Sequence, residues 1–263
     1  MINKLPVSVI IIARNEAAVL QRCLDSVKLW AGEIVAVIND CSDNTQEVLL
    51  ANGAQVYEHD WQGFVVQKNR AISYAKFSWI FSIDADEMVT PKAYREICQI
   101  INQEDPKIAG VSFKRKTWLL DRWIKHGDWY PDRVIRLFRR ELSSFKGDFL
   151  HERLEVKGKI LYSQANLLHY SFPTMYLFLT KNETFTRYFI TANLGKKKFS
   201  YAGTIIRTFW KFFRGYFIKR GFLDGYPGFI IALQQAYSTF FRYNMLLEHQ
   251  VKNTPCLMDK EDE

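Results

Sequence analysis

Nine residues, Trp79-Ile80-Phe81-Ser82-Ile83-Asp84-Ala85-Asp86-Glu87, constrain this chain more than any other stretch. The first five have the aromatic and β-branched content of a covered strand, and they run directly into three carboxylates. An isolated buried charge is too costly to hold inside such a strand. Asp84 and Asp86 must therefore emerge at its carboxyl end, where open α/β sheets place their ligands. Two aspartates spaced i, i+2 at that position suit a hard divalent cation, which takes oxygen ligands and often keeps waters and substrate phosphates. The stretch by itself fits a second reading equally, a strand followed by a turn in which Asp86 caps a helix from Pro91 onward.

The flanking sequence supplies the sheet that such a strand needs. Residues 7–13 are a continuous apolar run of strand length, the signature of a central parallel strand, and a helical stripe of Val19, Leu20, Cys23, Leu24 and Val27 follows. Residues 33–38 repeat the pattern and end in the polar cluster Asn39-Asp40-Cys41-Ser42-Asp43-Asn44-Thr45, a turn suited to capping the next helix. A short strand at 54–57 and a helix at 64–76 lead into Trp79. Beyond it a helix is predicted at 91–102 with Pro91 at its first position, and strands at 108–114, 134–138 and 153–156. Residues 117–131 read as an aromatic loop or short helix. This β-α alternation with short connections predicts a doubly wound, mostly parallel α/β sheet flanked by helices.

From Pro173 the pattern turns helical, and charge becomes informative. The chain of 263 residues has a formal charge of +8. Residues 174–250 hold eleven Lys/Arg against three acids, the whole excess, together with 20 of the 40 aromatics. Over 203–219, Ile206, Phe209, Trp210, Phe213 and Phe217 share one helical face while Arg207, Lys211 and Arg214 fall on the other. A basic, aromatic, amphipathic segment points to a membrane surface or to a nucleic acid with exposed bases. No apolar run is long enough to predict a membrane span. Residues 1–6 lack the marks of a leader, and the four scattered cysteines match no metal or redox spacing. The expectation is a cytoplasmic protein with a catalytic domain over 1–172, a helical extension over 173–250 and a tail over 251–263.

Three strand ends meet on one side of such a sheet: residues 13–16, 39–43 and 84–86. No Gly-x-Gly-x-x-Gly follows the first strand and no Gly-Lys-Ser/Thr loop is present, which argues against a dinucleotide fold or a P-loop. Acidic groups in place of a phosphate-cradling loop must hold phosphate through a metal. Lys68 adds a positive charge, and Asp40 can accept from a base edge or a ribose. The combination fits a metal-bridged nucleoside diphosphate.

These motifs resemble those of family 2 inverting glycosyltransferases with the GT-A fold. The matching stretches are Val9-Ile10-Ile11-Ile12-Ala13-Arg14-Asn15-Glu16, the 39–45 turn, Gln67-Lys68-Asn69-Arg70-Ala71 and Asp84-Ala85-Asp86. More narrowly the chain is similar to bacterial lipopolysaccharide-core β-glucosyltransferases. That likeness rests on Trp61-Gln62-Gly63-Phe64, on 126–132 (His-Gly-Asp-Trp-Tyr-Pro-Asp), on Arg136-Leu137-Phe138-Arg139-Arg140, on His151-Glu152 and on 220–225 (Arg-Gly-Phe-Leu-Asp-Gly). The resemblance spans residues 6–247.

It implies that Ala13, Glu16 and Asp40 line the nucleoside pocket of a UDP-sugar, with Asp40 facing the uracil. Lys68 then lies near base or diphosphate, Asp84 near ribose or metal shell, and Asp86 holds Mg2+ or Mn2+. The 39–45 turn is one residue shorter than in many relatives, which leaves Asn39, Asp40 and Asp43 as alternatives for the base contact. An inverting transfer needs a general base; the resemblance implies an acid beyond the Asp-x-Asp strand, Glu152 first and Asp132 second. His151 and His169 read as structural, or as completing the metal shell; Trp129 and Tyr130 as a sugar platform or core. The expected acceptor is a lipid-linked saccharide, with the enzyme peripheral on the inner face of a bacterial inner membrane through anionic lipid, and with no nucleic-acid partner. Rival readings are an acceptor that is a polyprenyl phosphate or a protein, a nucleotidyl-transfer or nucleic-acid-binding protein, and a non-catalytic membrane-surface module.

Overall fold

The computed structural model describes residues 4–147, 152–172, 174–194 and 200–252. In chain order the elements begin with β1 (Leu5–Ala13), α1 (Ala17–Val27), β2 (Ala31–Ile38), α2 (Thr45–Ala51), β3 (Gln55–Glu58), α3 (Phe64–Tyr74) and β4 (Trp79–Ser82). Next come β5 (Glu87–Val89), α4 (Pro91–Gln103), β6 (Ile108–Leu119), β7 (Arg122–Trp123), β8 (Asp132–Arg139), β9 (Ser143–Lys146), β10 (Arg153–Val156) and β11 (Lys159–His169). Three helices complete the chain: α5 (Met175–Asn193), α6 (Tyr201–Phe213) and α7 (Gly225–Lys252). Two units result, one of Met1–Thr117 with Asp132–Ser171, the other of Trp118–Pro131 with Phe172–Glu263.

The first unit is the α/β sheet that the strand pattern predicts. Its order is β3-β2-β1-β4-β8-β6-β11-β5. Six of these strands run one way; β8 and β5 run against their neighbours. Alternation along β1 covers both faces. Val7, Val9 and Ile11 pack with Leu20, Leu24 and Val27 of α1 and with Ile97 of α4, while Ile10 packs with Val35, Val37, Ala71 and Ile72. The one acid inside β2, Glu33, is buried and satisfied by the Ser8 hydroxyl (2.6 Å), the Lys76 N–H (2.5 Å) and Gln55 (3.0 Å).

Several elements differ from expectation. β5, β7, β9 and β11 were not anticipated, and β6 continues past residue 114 to Leu119. β11 alternates exposed Tyr162 and Gln164 with buried Ser163 and Ala165, so its polar content hides a strand wedged between β6 and β5. β10, the strand predicted at 153–156, does not join the main sheet but pairs with β9 in a separate two-stranded sheet. The helix from Pro91 is capped by Thr90, whose hydroxyl accepts from the Ala93 N–H at 3.2 Å, and not by Asp86. His151 and residues 253–263 of the tail lie outside the described residues.

The second unit is helical. Leu119, Ile124, Phe178 and Ile231 form its buried core, and half-buried Trp129 packs against it, stacked on Phe172 at 5.2 Å. The 126–129 turn and the 220–225 motif, far apart in sequence, meet here. Asp224 accepts from the Lys125 and His126 N–H groups at 3.0 and 2.7 Å and pairs with the His126 ring at 2.9 Å. Gly228 lies so near the Gly221 carbonyl that a Cβ there would sit 1.9 Å from the oxygen, which explains the small residues. α6 runs on into a π-helical turn, Arg214–Ile218. Among the described residues no helix is long and apolar enough to cross a membrane.

Candidate active site

The parallel pairing brings the expected strand ends to one edge. Ala13 lies opposite Ile38 in register, and Ile10 opposite Ser82, so the 13–16, 39–43 and 84–86 segments leave the sheet side by side. Asp43 is consumed locally: it accepts from the Ala17 N–H at 3.1 Å and from the Thr45 N–H at 3.0 Å, while Thr45 in turn accepts the Glu16 N–H at 2.8 Å. The Asn39 amide donates to the His59 carbonyl. Asp40 keeps an 84 % exposed carboxylate, in an exposed pair with Arg14 at 3.3 Å. Pairs of this kind are weak and open readily to a ligand. Of the three alternatives in the turn, only Asp40 keeps its carboxylate turned to solvent.

At the centre, Lys68 of α3 is buried, with its side chain 7 % exposed, and its ammonium lies over the Phe145 ring at 5.2 Å. It donates to Glu152 Oε1 at 2.5 Å and stands 3.7 Å from Asp84 Oδ1. One cation thus joins the Asp-x-Asp turn to the acid expected as base. Asp84 is further held by Arg136, with Arg115 at 3.9 Å. Burial pushes the Asp84 carboxyl up, but Arg136, Lys68 and Arg115 outweigh it and hold the group well below the usual carboxylate range. Glu87, fully buried, pairs with Arg136 at 2.6 Å and Arg115 at 3.4 Å. Its role is to retain the arginines behind Asp84. Beside it Cys23, whose thiol reaches the Asp84 carbonyl at 3.6 Å, is pushed up by burial first and by the Glu87 and Asp84 charges next, so it stays neutral.

Asp132 belongs to the same network by another route. Arg115 donates to its Oδ2 through Nε at 2.8 Å, with a terminal guanidinium nitrogen 2.7 Å from the same oxygen. Asp86 turns the other way: its carboxylate is 3.3 Å from His169 Nε2. The Thr117 hydroxyl contacts His169 Nδ1 at 3.1 Å, which fixes the ring with Nε2 toward Asp86, as outer partners do for metal-ligating histidines. Four carboxylates (Asp84, Glu87, Asp132, Glu152) share three cations (Lys68, Arg115, Arg136).

The arginines are the residues that sequence reasoning missed. Their signal was present, because Arg136 interrupts Val134-Ile135-Arg136-Leu137-Phe138, and a cation in a covered strand requires a carboxylate partner.

A sheet with covered faces that gathers an Asp-x-Asp turn, a buried lysine and a further acid at its carboxyl edge is the framework of a glycosyltransferase. The family model described as Glycosyl transferase family 2 matches residues 8–165, more than half of the chain, and the chain belongs to that family. A glycosyltransferase of Rickettsia typhi is 27% identical over 266 residues, covering 94% of this chain and 88% of the relative. The lipopolysaccharide core biosynthesis glycosyltransferase LpsC of Rhizobium meliloti is 30% identical over 177 residues, 65% of each. Among solved structures, the mannosyltransferase PcManGT from Pyrobaculum calidifontis, in complex with GDP-Man and Mn2+, superposes with a TM-score of 0.51 at 15% identity. It covers 98% of this chain and 88% of that one, a likeness of fold.

Proposed function

We propose that this glycosyltransferase moves a hexose, glucose in the first instance, from a UDP-sugar to a lipopolysaccharide inner core or related glycolipid by a metal-dependent single displacement with inversion. The observation that carries the reading is the Lys68 bridge, in which one buried ammonium touches both the Asp-x-Asp turn and Glu152. Donor-phosphate chemistry and acceptor deprotonation then share one cation. Glu152 is engaged through Oε1 alone among the described residues, which leaves Oε2 to take the acceptor hydroxyl's proton. Asp132, held by the Arg115 guanidinium through one oxygen, is the second choice. Asp40 receives the uracil, Ala13 and Glu16 wall the nucleoside, and Asp84 faces the ribose side.

The donor set of Asp86 with His169 suits Mg2+ or Mn2+. Among the described residues no trio of His, Cys, Asp or Glu is placed to hold a metal alone. That fits an ion which takes its remaining ligands from water and a diphosphate. Such an ion, when bound, stabilises charge developing on the leaving group. The name of LpsC supports the lipopolysaccharide acceptor, and attachment to the cytoplasmic face of the inner membrane belongs with it.

The test is a screen of UDP- and GDP-sugars with Mn2+, reading nucleotide release and transfer to lipopolysaccharide-core acceptors. UDP-glucose as the preferred donor supports the reading. Turnover confined to GDP-sugars, or transfer only to polyprenyl phosphate or protein, refutes it.

A further inference from the structure

α6 and the π-helical turn after it present an apolar face to solvent. Ile205, Ile206, Phe209, Trp210, Phe213 and Phe217 are all exposed, Phe209 at 71 % and Ile206 at 67 %. Their spacing is that of a stripe which a soluble helix buries. The helix buries Thr204 and Gly215 instead. Its cations explain the orientation. Lys211 and Arg214 reach the nearly buried Asp128 at 2.9 and 2.8 Å, and Lys219 joins them at 2.9 Å. Rolling the aromatic stripe inward would strip Asp128 of these partners and leave a buried charge unpaired.

The surrounding charge selects the occupant of this face. Residues 200–247 contain six Lys/Arg and one acid, Asp224, whose carboxylate is itself nearly buried against His126. Arg207 and Arg220 are exposed around the stripe, Lys219 is shared with Asp128, and no exposed acid lies within 200–247 to oppose them. A second copy docking by a twofold axis would bring cations against cations. An anionic lipid surface offers the opposite sign at the rim and an apolar boundary for the aromatics.

We propose that α6 with its π-helical turn is an in-plane anchor that inserts this face into the interface of a membrane containing anionic lipid. The attachment is apolar first and electrostatic second, because two of the helix's cations are committed to Asp128. The proposal rests on the lipid-linked acceptor reading for its purpose, and it names the surface and the mode of contact.

The experiment is co-sedimentation of the full chain with vesicles of phosphatidylethanolamine and phosphatidylglycerol, at about 0.15 M and about 1 M NaCl, where charge screening shortens to about 3 Å. Binding is expected to survive the high salt. The triple variant Phe209→Ser/Trp210→Ser/Phe213→Ser is expected to bind about 100-fold more weakly or worse, since three large side chains leave the apolar phase. Its thermal midpoint and donor hydrolysis stay unchanged. Failure of the wild type to bind, full release by salt, or undiminished binding of the variant overturns the anchor. So does a dimer in solution that the same variant dissociates. Donor hydrolysis on the same samples separates the two readings: lost turnover with intact vesicle binding refutes the transferase chemistry alone, and intact turnover without binding refutes the anchor alone.

Discussion

Arg136→Met isolates the electrostatic frame behind Asp84. Arg136 is 5 % exposed, and its guanidinium donates to Glu87 Oε1 at 2.6 Å and to Asp84. Burial works against its charge, yet Asp84 and Glu87 raise its pKa above the ordinary arginine value. With methionine in its place, the fully buried Glu87 keeps, among the described residues, Arg115 at 3.4 Å and the Asp84 N–H at 3.3 Å. Removing one partner of a buried pair costs about 3–5 kcal/mol. For a chain of this size, at about 2–4 °C per kcal/mol, the melting temperature should fall by roughly 6–20 °C. The double variant Arg136→Met/Glu87→Met removes both charges and should recover at least half of that loss, a coupling of about 1.5 kcal/mol or more. Thermal and urea unfolding of the four proteins in the cycle measure it. A single-variant cost under about 1 kcal/mol, or additive losses in the double variant, would refute the view that Arg136 exists to neutralise Glu87 and Asp84.

Two further outcomes follow from the structure. Burial raises the Asp128 carboxyl, but Lys211 and Lys219 outweigh it and lower its pKa; its stabilisation is then complete above the unfolded value near about 4 and lost as pH falls through the lower folded value. The melting-temperature gap between wild type and Asp128→Asn should therefore narrow as pH drops below about 4, and a gap of constant size would contradict this. For the metal, UDP with Mn2+ near 100 times its dissociation constant should stabilise the wild type by about 2.7 kcal/mol. Asp86→Ala should lose the Mn2+-dependent part of that shift, and an unchanged shift would remove Asp86 from the metal site.

The parallel half of the sheet was legible because β1 and β2 are near-continuous apolar runs that only a doubly covered strand explains. β11 was not, since its pairing with β6 and β5 tolerates Ser163, Gln164 and Asn166, and three-residue β5 is too short for any period to register. Asp84 and Asp86 were legible as acids at a recognisable strand end and Lys68 as a cation on the helix before it, whereas Glu152 is implied by the family resemblance alone. The arginines left only the weaker signal of Arg136 inside an apolar strand, which demands a carboxylate partner without saying which one. Over 203–219 the two faces of the helix were readable but not their direction. Periodicity reports a stripe, and only the distant Asp128 turns the cations inward and the aromatics out.

The most direct test of Glu152 as the base held by Lys68 is the transfer rate of Glu152→Gln, set against Asp132→Asn, with UDP-glucose and a lipopolysaccharide-core acceptor. Glu152→Gln should lower kcat by about 10²–10⁴-fold while the donor's KM stays within about twofold, the signature of a lost proton acceptor with intact binding. Asp132→Asn should cost under about tenfold, since its contact with Arg115 makes it a positioning partner. A Glu152→Gln enzyme that keeps the wild-type rate, or a larger loss in Asp132→Asn, would move the base to Asp132 and contradict the role given to the Lys68 bridge.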